Sequence, residues 1–507
     1  DSLNWVENMK MPIETALKTG KIVEGTICYT GDITDPNETK YTLDYYVKKA
    51  KELESLGVHI FTIKDMAGLV KPYAAKKLVS ALKEELNIPV NLHTHDSTGN
   101  GVSTLLMASE AGLDIADCAI GSMSSMTSNP CMNSLVEALK GTERDTGLNP
   151  DELTELSQYY ARIRPIYKQF ESGMDAPNTE IYKYEIPGGQ YSNLLAQVKE
   201  MGAAEDFEEI KGLYKDANQL LGNIVKVTPS SKVVGDFAIF MFKNGLTKDN
   251  ILEAGKDLSY PDSVVEYFEG MIGQPEGGFP EELQKIVLKD KKPIDVRPGS
   301  LLPDEDFDYI AKGLKENFYM DNMEDPDVLS QKVLSYALYP KVYEDYCRHF
   351  EAYNDVTGLE SHVYFYGLRK GEETTLKLDE GKYLIIKFID MTEPDEDGYR
   401  LLDFEVNGSI REIKVLDKNL EVKTDGRVKA DKSNPAHLGS TIPGTVGKVL
   451  VNEGDEVTVN MPLMTVEAMK METTVVSTVN GKVDKIYVKE GEQVNQEDLL
   501  ISFEIDE

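Results

Sequence analysis

Short apolar segments alternate with longer amphipathic segments through the first third of the chain. Their periodicity predicts four strands, over residues 21–29, 59–65, 90–96 and 115–120. Amphipathic helices are predicted between them, over 41–56 and 71–86, with a third that ends near Gly112. Strands that are separated by helices in this way become parallel neighbours in one sheet. The pattern therefore predicts an α/β fold for residues 1–170.

Polar residues gather at the carboxyl ends of these predicted strands, which is where a (β/α)8 barrel places its active site. Lys64 and Asp65 end the second strand, and His93 and His95 end the third. Two histidines that are two positions apart on a strand face the same side and can bind one divalent metal ion. For this pair alone, two buried hydrogen-bonded histidines are the alternative. An open doubly wound sheet is the alternative fold, but no glycine-rich phosphate loop follows any of these strands.

After residue 170 the pattern changes twice. It is mostly helical over 171–305, with Pro-Gly interruptions, and it stays helical over 306–345. Residues 360–415 change to alternating strands, one of which is expected over 363–368.

An internal repeat organises the C-terminal residues, because the pattern of 444–466 recurs over 481–503. Each copy has short β-branched runs with Glu-Gly turns, so the two copies are expected to fold against each other. Lys470 falls between the copies, where the tip of a hairpin is expected. A lysine in that place can carry a covalent cofactor, and the alternative is a hairpin lysine without a function. The polar residues 429–440, which include an Asn-Pro pair, are expected to form a tether.

The length, charge and cysteine content of the chain argue against several classes of function. The chain has 507 residues, which predicts two to four domains. Its formal net charge of −34, from 88 acidic and 54 basic residues, argues against nucleic-acid partners and against anionic membrane surfaces. No apolar run approaches the length of a membrane span. Four scattered cysteines without a CxxC pair are typical of reduced thiols, so we expect a cytoplasmic enzyme.

Segments along the whole chain, in a single order, resemble the pyruvate carboxylase family. The carboxyltransferase domain of that family is similar to FTIKDMAG at 61–68, LHTHD at 92–96, MSSMTS at 123–128, PGGQYSNL at 187–194 and VTPSSK at 227–232. The sequence EAMKME at 467–472 resembles the biotin-attachment motif of biotin-dependent carboxylases. A lipoyl domain shares the repeat, but AMKM resembles the biotin version.

The resemblance implies a fold and a domain order. The fold is α/β, with a partial TIM (β/α)8 barrel that has a helical extension, an α+β tetramerisation domain and an all-β biotinyl domain of the barrel-sandwich type. The implied domains are the second half of the barrel (1–170), the helical funnel (171–305), the tetramerisation domain (306–428), a linker (429–440) and the biotin carboxyl carrier domain (441–507).

The resemblance also implies a metal site and a biotinylated lysine. Lys470 would carry biotin. Lys64 would be carbamylated by CO2 and would bind a divalent metal ion together with His93 and His95. Zn2+, Mn2+ and Co2+ all suit such a ligand set.

Three residues of the VTPSSK motif receive roles from the same resemblance. The hydroxyl of Thr228 would move a proton between the methyl group of pyruvate and biotin, because a hydroxyl both donates and accepts. Ser231 and Lys232 would help to position the biotin ring. The alternative for Thr228 is a helix N-cap with Pro229 at the first helical position, and both interpretations can hold together.

The implied activity is carboxyl transfer from carboxybiotin to pyruvate, which gives oxaloacetate. ATP, Mg2+ and bicarbonate would act only through a preceding module that this sequence lacks. The implied partners are further copies of the chain in a homotetramer and biotin protein ligase. A first alternative is the α subunit of a sodium-pumping oxaloacetate decarboxylase, which usually has a Pro/Ala-rich linker in place of the strands at 360–415. A second alternative is an inactive fragment that serves as carrier and assembly module.

The family's barrel begins with strands that supply a metal-binding aspartate, and no residue here can be matched to it. Residues 1–5 resemble the end of the fourth strand of that barrel. We therefore expect the sequence to be part of a larger polypeptide, and to be inactive unless the missing strands are supplied in trans.

Overall fold

The computed structural model describes residues 1–171, 173–318, 323–395, 397–417, 428–431, 434–468 and 471–505. The chain divides into two compact units. The first unit contains Asp1–Leu301 together with Val428–Glu507, and the second contains Leu302–Arg427.

A four-stranded parallel sheet with the strand order β1-β2-β3-β4 organises the first part of the first unit. Its strands are β1 (Glu24–Cys28), β2 (Ile60–Asp65), β3 (Val90–Thr94) and β4 (Ile115–Ala116). The helices of this part are α1 (Val6–Lys18), α2 (Leu43–Ser55), α3 (Pro72–Glu85), α4 (Gly101–Glu110) and α5 (Met132–Leu139). The predicted α/β alternation is confirmed, although the fourth strand has only two residues.

The strands of this sheet are buried on one face by apolar side chains. Phe61 and Ile63 of β2 are almost completely buried, and Leu78 and Leu82 of α3 belong to the same core. Each fully buried side chain of this size contributes about 1.5–3 kcal/mol to folding. Because side chains alternate along a strand, Thr62 and the other even-numbered residues of β2 face the opposite side. The apolar face therefore fixes which residues of the sheet remain available for chemistry.

Helices make up the remainder of the first unit up to residue 301, as the pattern over 171–305 predicts. They are α6 (Pro150–Ile163), α7 (Ile181–Tyr184), α8 (Gly188–Glu200), α9 (Phe207–Leu220), α10 (Ser230–Lys243), α11 (Ile251–Ala254), α12 (Asp262–Glu269) and α13 (Glu281–Leu288). Short 3-10 helices lie at Gly121–Met123, Arg164–Phe170, Ala204–Asp206 and Pro298–Ser300. A second apolar core, which includes Tyr214, Phe237 and Tyr267, holds these helices together. Of the helices in the described ranges, none has the length and hydropathy needed to cross a membrane.

The second unit combines helices with an antiparallel sheet. Its helices are α14 (Phe307–Asn317), α15 (Pro326–Leu338), α16 (Pro340–Tyr353) and α17 (Ser361–Tyr366). Its strands pair in the order β5-β6-β7-β8, and they are β5 (Glu373–Asp379), β6 (Lys382–Met391), β7 (Tyr399–Val406) and β8 (Ser409–Leu416).

The strand expected over 363–368 is wrong, because α17 occupies most of these residues. The sequence from Val363 to Tyr366 is a continuous apolar and aromatic run without alternation. Periodicity cannot separate a short strand from a helical turn in such a run. The helix ends at Gly367, which has φ of 70° and thereby stops further helical turns.

The C-terminal module is an all-β structure of two four-stranded sheets. Its strands are β9 (His437–Gly439), β10 (Gly444–Val449), β11 (Glu456–Val457), β12 (Pro462–Ala468), β13 (Met471–Val476), β14 (Gly481–Ile486), β15 (Gln493–Val494) and β16 (Leu499–Ile505). The sheet orders are β13-β12-β10-β15 and β11-β14-β16-β9, so each sheet contains strands from both copies of the repeat. One core joins the copies, with Val446 and Val466 from the first and Val483 and Phe503 from the second. The expected folding of the two copies against each other is confirmed.

Part of the expected tether belongs to this module. Strand β9 pairs with β16, and the main-chain nitrogen of Leu499 donates to the oxygen of Val428 at 2.8 Å. The Nζ atom of Lys429 lies 2.7 Å from a carboxylate oxygen of Asp498. A polar sequence gave no strand signal here. The described residues of this segment nevertheless supply hydrogen-bond partners to the otherwise open edge of β16.

Candidate functional site

A cavity of about 470 Å3 collects residues from β1, β2 and β3 and from the segment before α10. It is lined by Asp1, Ser2, Glu24, Thr26, Cys28, Thr62, Lys64, His93, Asp117, Val227 and Thr228. Three of these residues, Lys64, His93 and Thr228, come from separate sequence motifs. The structure therefore brings together residues that are distant along the chain.

The register of the parallel sheet places Lys64 beside His93. Their Cα atoms are partners in the pairing of β2 with β3, and Cys28 is the partner of Lys64 in β1. Residues paired in this way point to the same face of a sheet. Lys64 and His93 therefore reach the cavity together.

Asp65, the next residue of the motif, points to the other face and is fully buried. Its carboxylate accepts hydrogen bonds from the main-chain nitrogens of Leu69 (2.8 Å) and Val70 (2.9 Å) and from the hydroxyl of Thr94 (2.8 Å). Burial raises the pKa of Asp65, and these hydrogen bonds act in the opposite direction. Asp65 therefore shapes the loop that follows β2.

The two histidines lie close together and have their Nδ1 atoms engaged. Their ring centres are 5.4 Å apart, with an interplanar angle of 75°. Nδ1 of His93 is 2.8 Å from a carboxylate oxygen of Asp117, and Nδ1 of His95 is 2.6 Å from the main-chain oxygen of Thr127. Both partners are acceptors, which places the proton on Nδ1 and leaves the lone pair on Nε2. Burial lowers the pKa of His95, which favours the neutral imidazole that a metal ion requires.

These observations test whether the residues fit a divalent metal ion. Within the described ranges, no group of three or more His, Cys, Asp or Glu side chains is placed to hold one. Two histidines with Nδ1 held by acceptors have the arrangement of metal-binding histidines. A carbamate on Lys64 would add an anionic oxygen ligand next to His93. The two histidines are therefore compatible with a divalent metal ion, and within the described ranges a carbamate on Lys64 would be needed as a third ligand.

Thr228 lies at the cavity and is exposed, immediately before a cis peptide bond to Pro229. Helix α10 begins at Ser230 with Pro229 as its N-cap, and no side chain caps it. The alternative of Thr228 as the N-cap is therefore wrong, and so is the placement of Pro229 within the helix. The hydroxyl of Ser230 lies 2.6 Å from the oxygens of both Val225 and Val227 and satisfies this turn instead.

Ser231 and Lys232 follow in the first turn of α10, and neither lines this cavity. Ser231 is buried and Lys232 is exposed.

A buried ion pair ties the segment before Thr228 to the end of β1. Lys226 is only 2% exposed, and its Nζ lies 2.5 Å from a carboxylate oxygen of Glu185 and 3.3 Å from the hydroxyl of Thr30. The Thr30 hydroxyl also lies 3.2 Å from the same Glu185 oxygen. Burial alone would raise the pKa of Glu185, but Lys226 and Thr30 outweigh it and hold that pKa below its ordinary value.

Thr62 and Asp117 line the cavity and Asn91 lies beside Asp117, and none of the three was identified from the sequence. Thr62 is two positions before Lys64 on its strand, and Asn91 is two before His93, so the strand alternation contains the signal for both positions. Asp117 gave no such signal, because β4 is too short to set a clear pattern. His93 and Asp117 also line a larger neighbouring cavity of about 770 Å3, which runs along β4 and α5.

Lys470, the expected site of biotin attachment, lies outside the described residues. The pairing of Ala468 with Met471 is described on either side of it, as the closing pair of the hairpin β12–β13.

Three protein-family models match the chain in succession. The HMGL-like model, a TIM-barrel-type domain, matches residues 13–159. The model described as a conserved carboxylase domain matches 181–387, and the model described as a biotin-requiring enzyme matches 435–503. The first and third of these agree with the mixed α/β part and with the all-β module of the structure.

Curated relatives match almost the whole chain. Pyruvate carboxylase of Bacillus subtilis is 49% identical over 504 residues, which are 99% of this chain and 43% of that protein. The mitochondrial pyruvate carboxylase of Mus musculus is 40% identical over 507 residues, which are 99% of this chain and 42% of that protein. The chain thus spans less than half the length of these relatives.

Solved structures agree with this match. The complete multifunctional pyruvate carboxylase of Rhizobium etli is 40% identical with a TM-score of 0.77, covering 99% of this chain and 46% of that one. Its carboxyl transferase domain, solved separately, is 43% identical with a TM-score of 0.77, covering 82% of this chain and 69% of that one. The chain therefore belongs to the pyruvate carboxylase family, and it matches the C-terminal region that contains the carboxyltransferase and biotin domains.

Proposed function

We propose that this chain provides the carboxyltransferase and biotin-carrier parts of a pyruvate carboxylase, a biotin-dependent carboxylase. It would move a carboxyl group from biotin on Lys470 to pyruvate and give oxaloacetate. One observation carries the proposal: Lys64, His93 and Thr228, from three separate motifs, line one cavity. The solved carboxyl transferase domain with pyruvate and biocytin, 43% identical to this chain, supports the choice of substrate.

The proposal assigns a role to each part of the fold. Strands β1 to β4 would be the second half of a TIM (β/α)8 barrel over 1–170, and the helices over 171–305 its funnel extension. Residues 306–428 would form the tetramerisation domain of a homotetramer. Residues 429–440 would lead into the biotin carboxyl carrier domain (441–507), which biotin protein ligase modifies, and would contribute strand β9 to it.

The metal site would be formed by His93, His95 and carbamylated Lys64. The engagement of both Nδ1 atoms by acceptors supports the two histidines as ligands through Nε2. The adjacency of Lys64 and His93 in the sheet supports the lysine. A divalent ion such as Zn2+, Mn2+ or Co2+ supplies Lewis acidity, which stabilises negative charge on the oxygen of an enolate.

Thr228 would hold and move the proton of the substrate. Its hydroxyl can accept a proton from the methyl carbon of pyruvate while it donates its own proton to the ureido nitrogen of biotin. The ion pair of Lys226 with Glu185 would keep the hydroxyl in place, because Lys226 is two residues from Thr228. Ser231 and Lys232 would contact the biotin ring, and the exposure of Lys232 supports this role for the lysine more than for the buried Ser231.

Overall turnover would require functions that lie outside this chain. ATP, Mg2+ and bicarbonate would be used by a separate module of the pyruvate carboxylase. We also propose a cytoplasmic location, which the four free cysteines support.

The match to the Bacillus subtilis relative covers 99% of the chain and includes the strands β5 to β8. These strands are the feature that separates this proposal from an oxaloacetate decarboxylase subunit.

Carboxyl transfer in the reverse direction tests the proposal. The intact protein would be incubated with oxaloacetate and free biotin, and pyruvate formation would be measured for the wild type and for Lys64→Arg. Arginine keeps the positive charge but does not form the carbamate, so we expect a loss of about a hundredfold or more. Lys71→Arg is the matched control, because Lys71 is paired with Asp32 at 2.6 Å and is absent from the cavity lining.

Activity of Lys64→Arg close to the wild-type level would reject the role of Lys64. Absence of any transfer by the wild-type protein, even with the remaining barrel strands supplied, would reject the proposed function, and it would favour a carrier and assembly module.

A further inference from the structure

Four residues form one row across the sheet at the floor of the 470 Å3 cavity. Cys28 is paired with Lys64, and Lys64 is paired with His93. The pairing continues to the next strand, because the main-chain nitrogen of Asp117 donates to the oxygen of Leu92 at 3.1 Å. Asp117 therefore stands beside His93 as Lys64 does, but on the opposite side of it.

The contact of Asp117 with His93 selects one tautomer of the imidazole. A carboxylate oxygen of Asp117 lies 2.8 Å from Nδ1 of His93. An ionised carboxylate can only accept a hydrogen bond, so Nδ1 must carry the proton. The lone pair is then on Nε2, which is the form of histidine that binds a metal ion.

Asn91 holds the carboxylate of Asp117 from the same sheet face. It is two residues before His93 on β3 and only 4% exposed. Its Nδ2 lies 3.5 Å from both carboxylate oxygens of Asp117, while its Oδ1 is buried without a hydrogen-bond partner in the described part of the chain. The reverse orientation of the amide would place its oxygen against two carboxylate oxygens. The buried amide is therefore oriented by Asp117 and in turn restrains it.

His95 differs from His93 in the partner of its Nδ1 atom. Its Nδ1 is held by the main-chain oxygen of Thr127, at 2.6 Å, which no side-chain substitution removes. Of these two histidines, only His93 therefore has a tautomer that depends on a side chain.

We propose that Asp117 is a positioning residue that fixes His93 as the Nδ1–H tautomer and directs Nε2 towards a divalent metal ion, with Asn91 restraining the Asp117 carboxylate. The inference rests on the proposed function, because that function requires the metal ion.

The test measures metal binding by the intact protein and needs no turnover. Affinity for Zn2+ and Co2+ would be determined by competition with a chromophoric chelator for the wild type and for Asp117→Asn. The asparagine amide can donate to Nδ1 and so stabilise the wrong tautomer. We expect affinity to fall about 10- to 100-fold. We also expect the visible absorption of bound Co2+ to change, which a loss of stability alone does not produce.

Asp114→Asn is the matched control, because Asp114 lies just before β4. Its carboxylate accepts from the nitrogen of Val90 at 2.8 Å and pairs with Lys83 at 2.7 Å, so its partners differ from that of Asp117. This variant should be less stable yet bind Co2+ with the wild-type affinity and spectrum. Equal metal affinity and an unchanged Co2+ spectrum in Asp117→Asn would overturn the proposal.

If Asp117→Asn does not fold, a second variant tests the same proposal. Asn91→Ala removes the amide that donates to Asp117 but leaves Asp117 and both histidines in place, and it should weaken metal binding in the same direction by a smaller factor. Wild-type affinity in Asn91→Ala would then overturn the proposal. If the wild-type protein itself binds neither Zn2+ nor Co2+, the proposed function fails together with this inference. Normal binding by the wild type and by both variants rejects this inference alone.

Discussion

His93 and Asp117 contact each other at 2.8 Å because they occupy the same level on neighbouring parts of one parallel sheet. Lys64 stands at that level too, on the other side of His93. A shift of β3 by one residue would turn His93 towards the apolar core and bring Leu92 to the cavity. The geometry of this part of the site is therefore fixed by sheet register. His95 is different, since it lies just beyond β3 and depends on a loop for its position.

Gly68 lies close to the main chain of His95, so that no side chain fits at this position. It has φ of +71°, and a Cβ atom placed on it would lie 2.7 Å from the main-chain oxygen of His95. We predict that Gly68→Ala lowers stability by more than the roughly 1–2 kcal/mol that a left-handed alanine costs, because the His95 main chain must also move. Divalent metal affinity should fall as well. Thermal unfolding and metal titration would measure the two effects.

The matched control for this prediction is Gly141→Ala. Gly141 has φ of +73° and nothing within 4 Å of the added Cβ atom, so it carries the conformational penalty without the close contact. Equal losses of stability in the two variants, with unchanged metal affinity, would show that the approach of Gly68 to His95 has no consequence.

Thr228 is predicted to act through its hydroxyl group. Thr228→Ala should reduce carboxyl transfer in both directions by about 10²- to 10⁴-fold, which is the usual contribution of a positioned acid–base group. Thr228→Ser keeps the hydroxyl and should retain most of the activity. Steady-state rates of pyruvate carboxylation and of oxaloacetate decarboxylation would be compared. Near-normal rates in Thr228→Ala, or equal losses in the two variants, would contradict a proton relay.

The sequence was sufficient for the arrangement of the first sheet because apolar periodicity and strand spacing are local properties. Strands β1, β2 and β3 lie within the predicted segments, and the shared face of Lys64 and His93 follows from their positions at the ends of adjacent strands. The C-terminal module was predictable for a similar reason. Its repeat shows that two halves must bury one core.

Other features depend on long-range contacts that leave no local pattern. Asp117 belongs to the site only because the two-residue strand β4 pairs with β3. The polar residues His437–Gly439 form a strand because they pair with the edge of β16. The ion pair of Lys226 with Glu185 joins residues 41 positions apart, and no periodicity predicts it.

Lys470 is predicted to be the residue that biotin protein ligase modifies. Lys470→Arg should abolish biotin incorporation and overall carboxylation, because a guanidinium group cannot form the amide bond to biotin. Intact mass and streptavidin binding would measure the modification, and unfolding of the carrier should be unchanged. Lys448→Arg, at an exposed lysine of the same module, is the control and should remain biotinylated. Biotin on the Lys470→Arg protein would contradict the assignment.

The ion pair of Lys226 with Glu185 is predicted to matter for stability far more than a surface pair. Glu185→Gln leaves a lysine ammonium that is 2% exposed without its counter-charge, which should cost about 3–5 kcal/mol in the free energy of unfolding. Denaturant unfolding would measure the loss.

Glu110→Gln removes the partner of Lys76 from a pair whose side chains are 53% and 47% exposed. As the control it should cost at most about 1 kcal/mol. The double variant Glu185→Gln/Lys226→Met should recover part of the stability that Glu185→Gln loses, because the uncompensated charge is gone. Similar small losses in Glu185→Gln and Glu110→Gln would contradict the prediction.

The same pair predicts how stability changes with pH. The pKa of Glu185 is lower in the folded protein than its ordinary value, so its ionised form stabilises the fold. That contribution is fully present above the ordinary glutamate pKa of about 4.3 and is lost as the pH falls through the depressed folded value. The difference in free energy of unfolding between wild type and Glu185→Gln should therefore be constant from about pH 7 to 5.5 and should shrink below about pH 4.5. Urea titrations at several pH values would measure it, and a difference that grows towards acid pH would mean that Glu185 is not held ionised by Lys226.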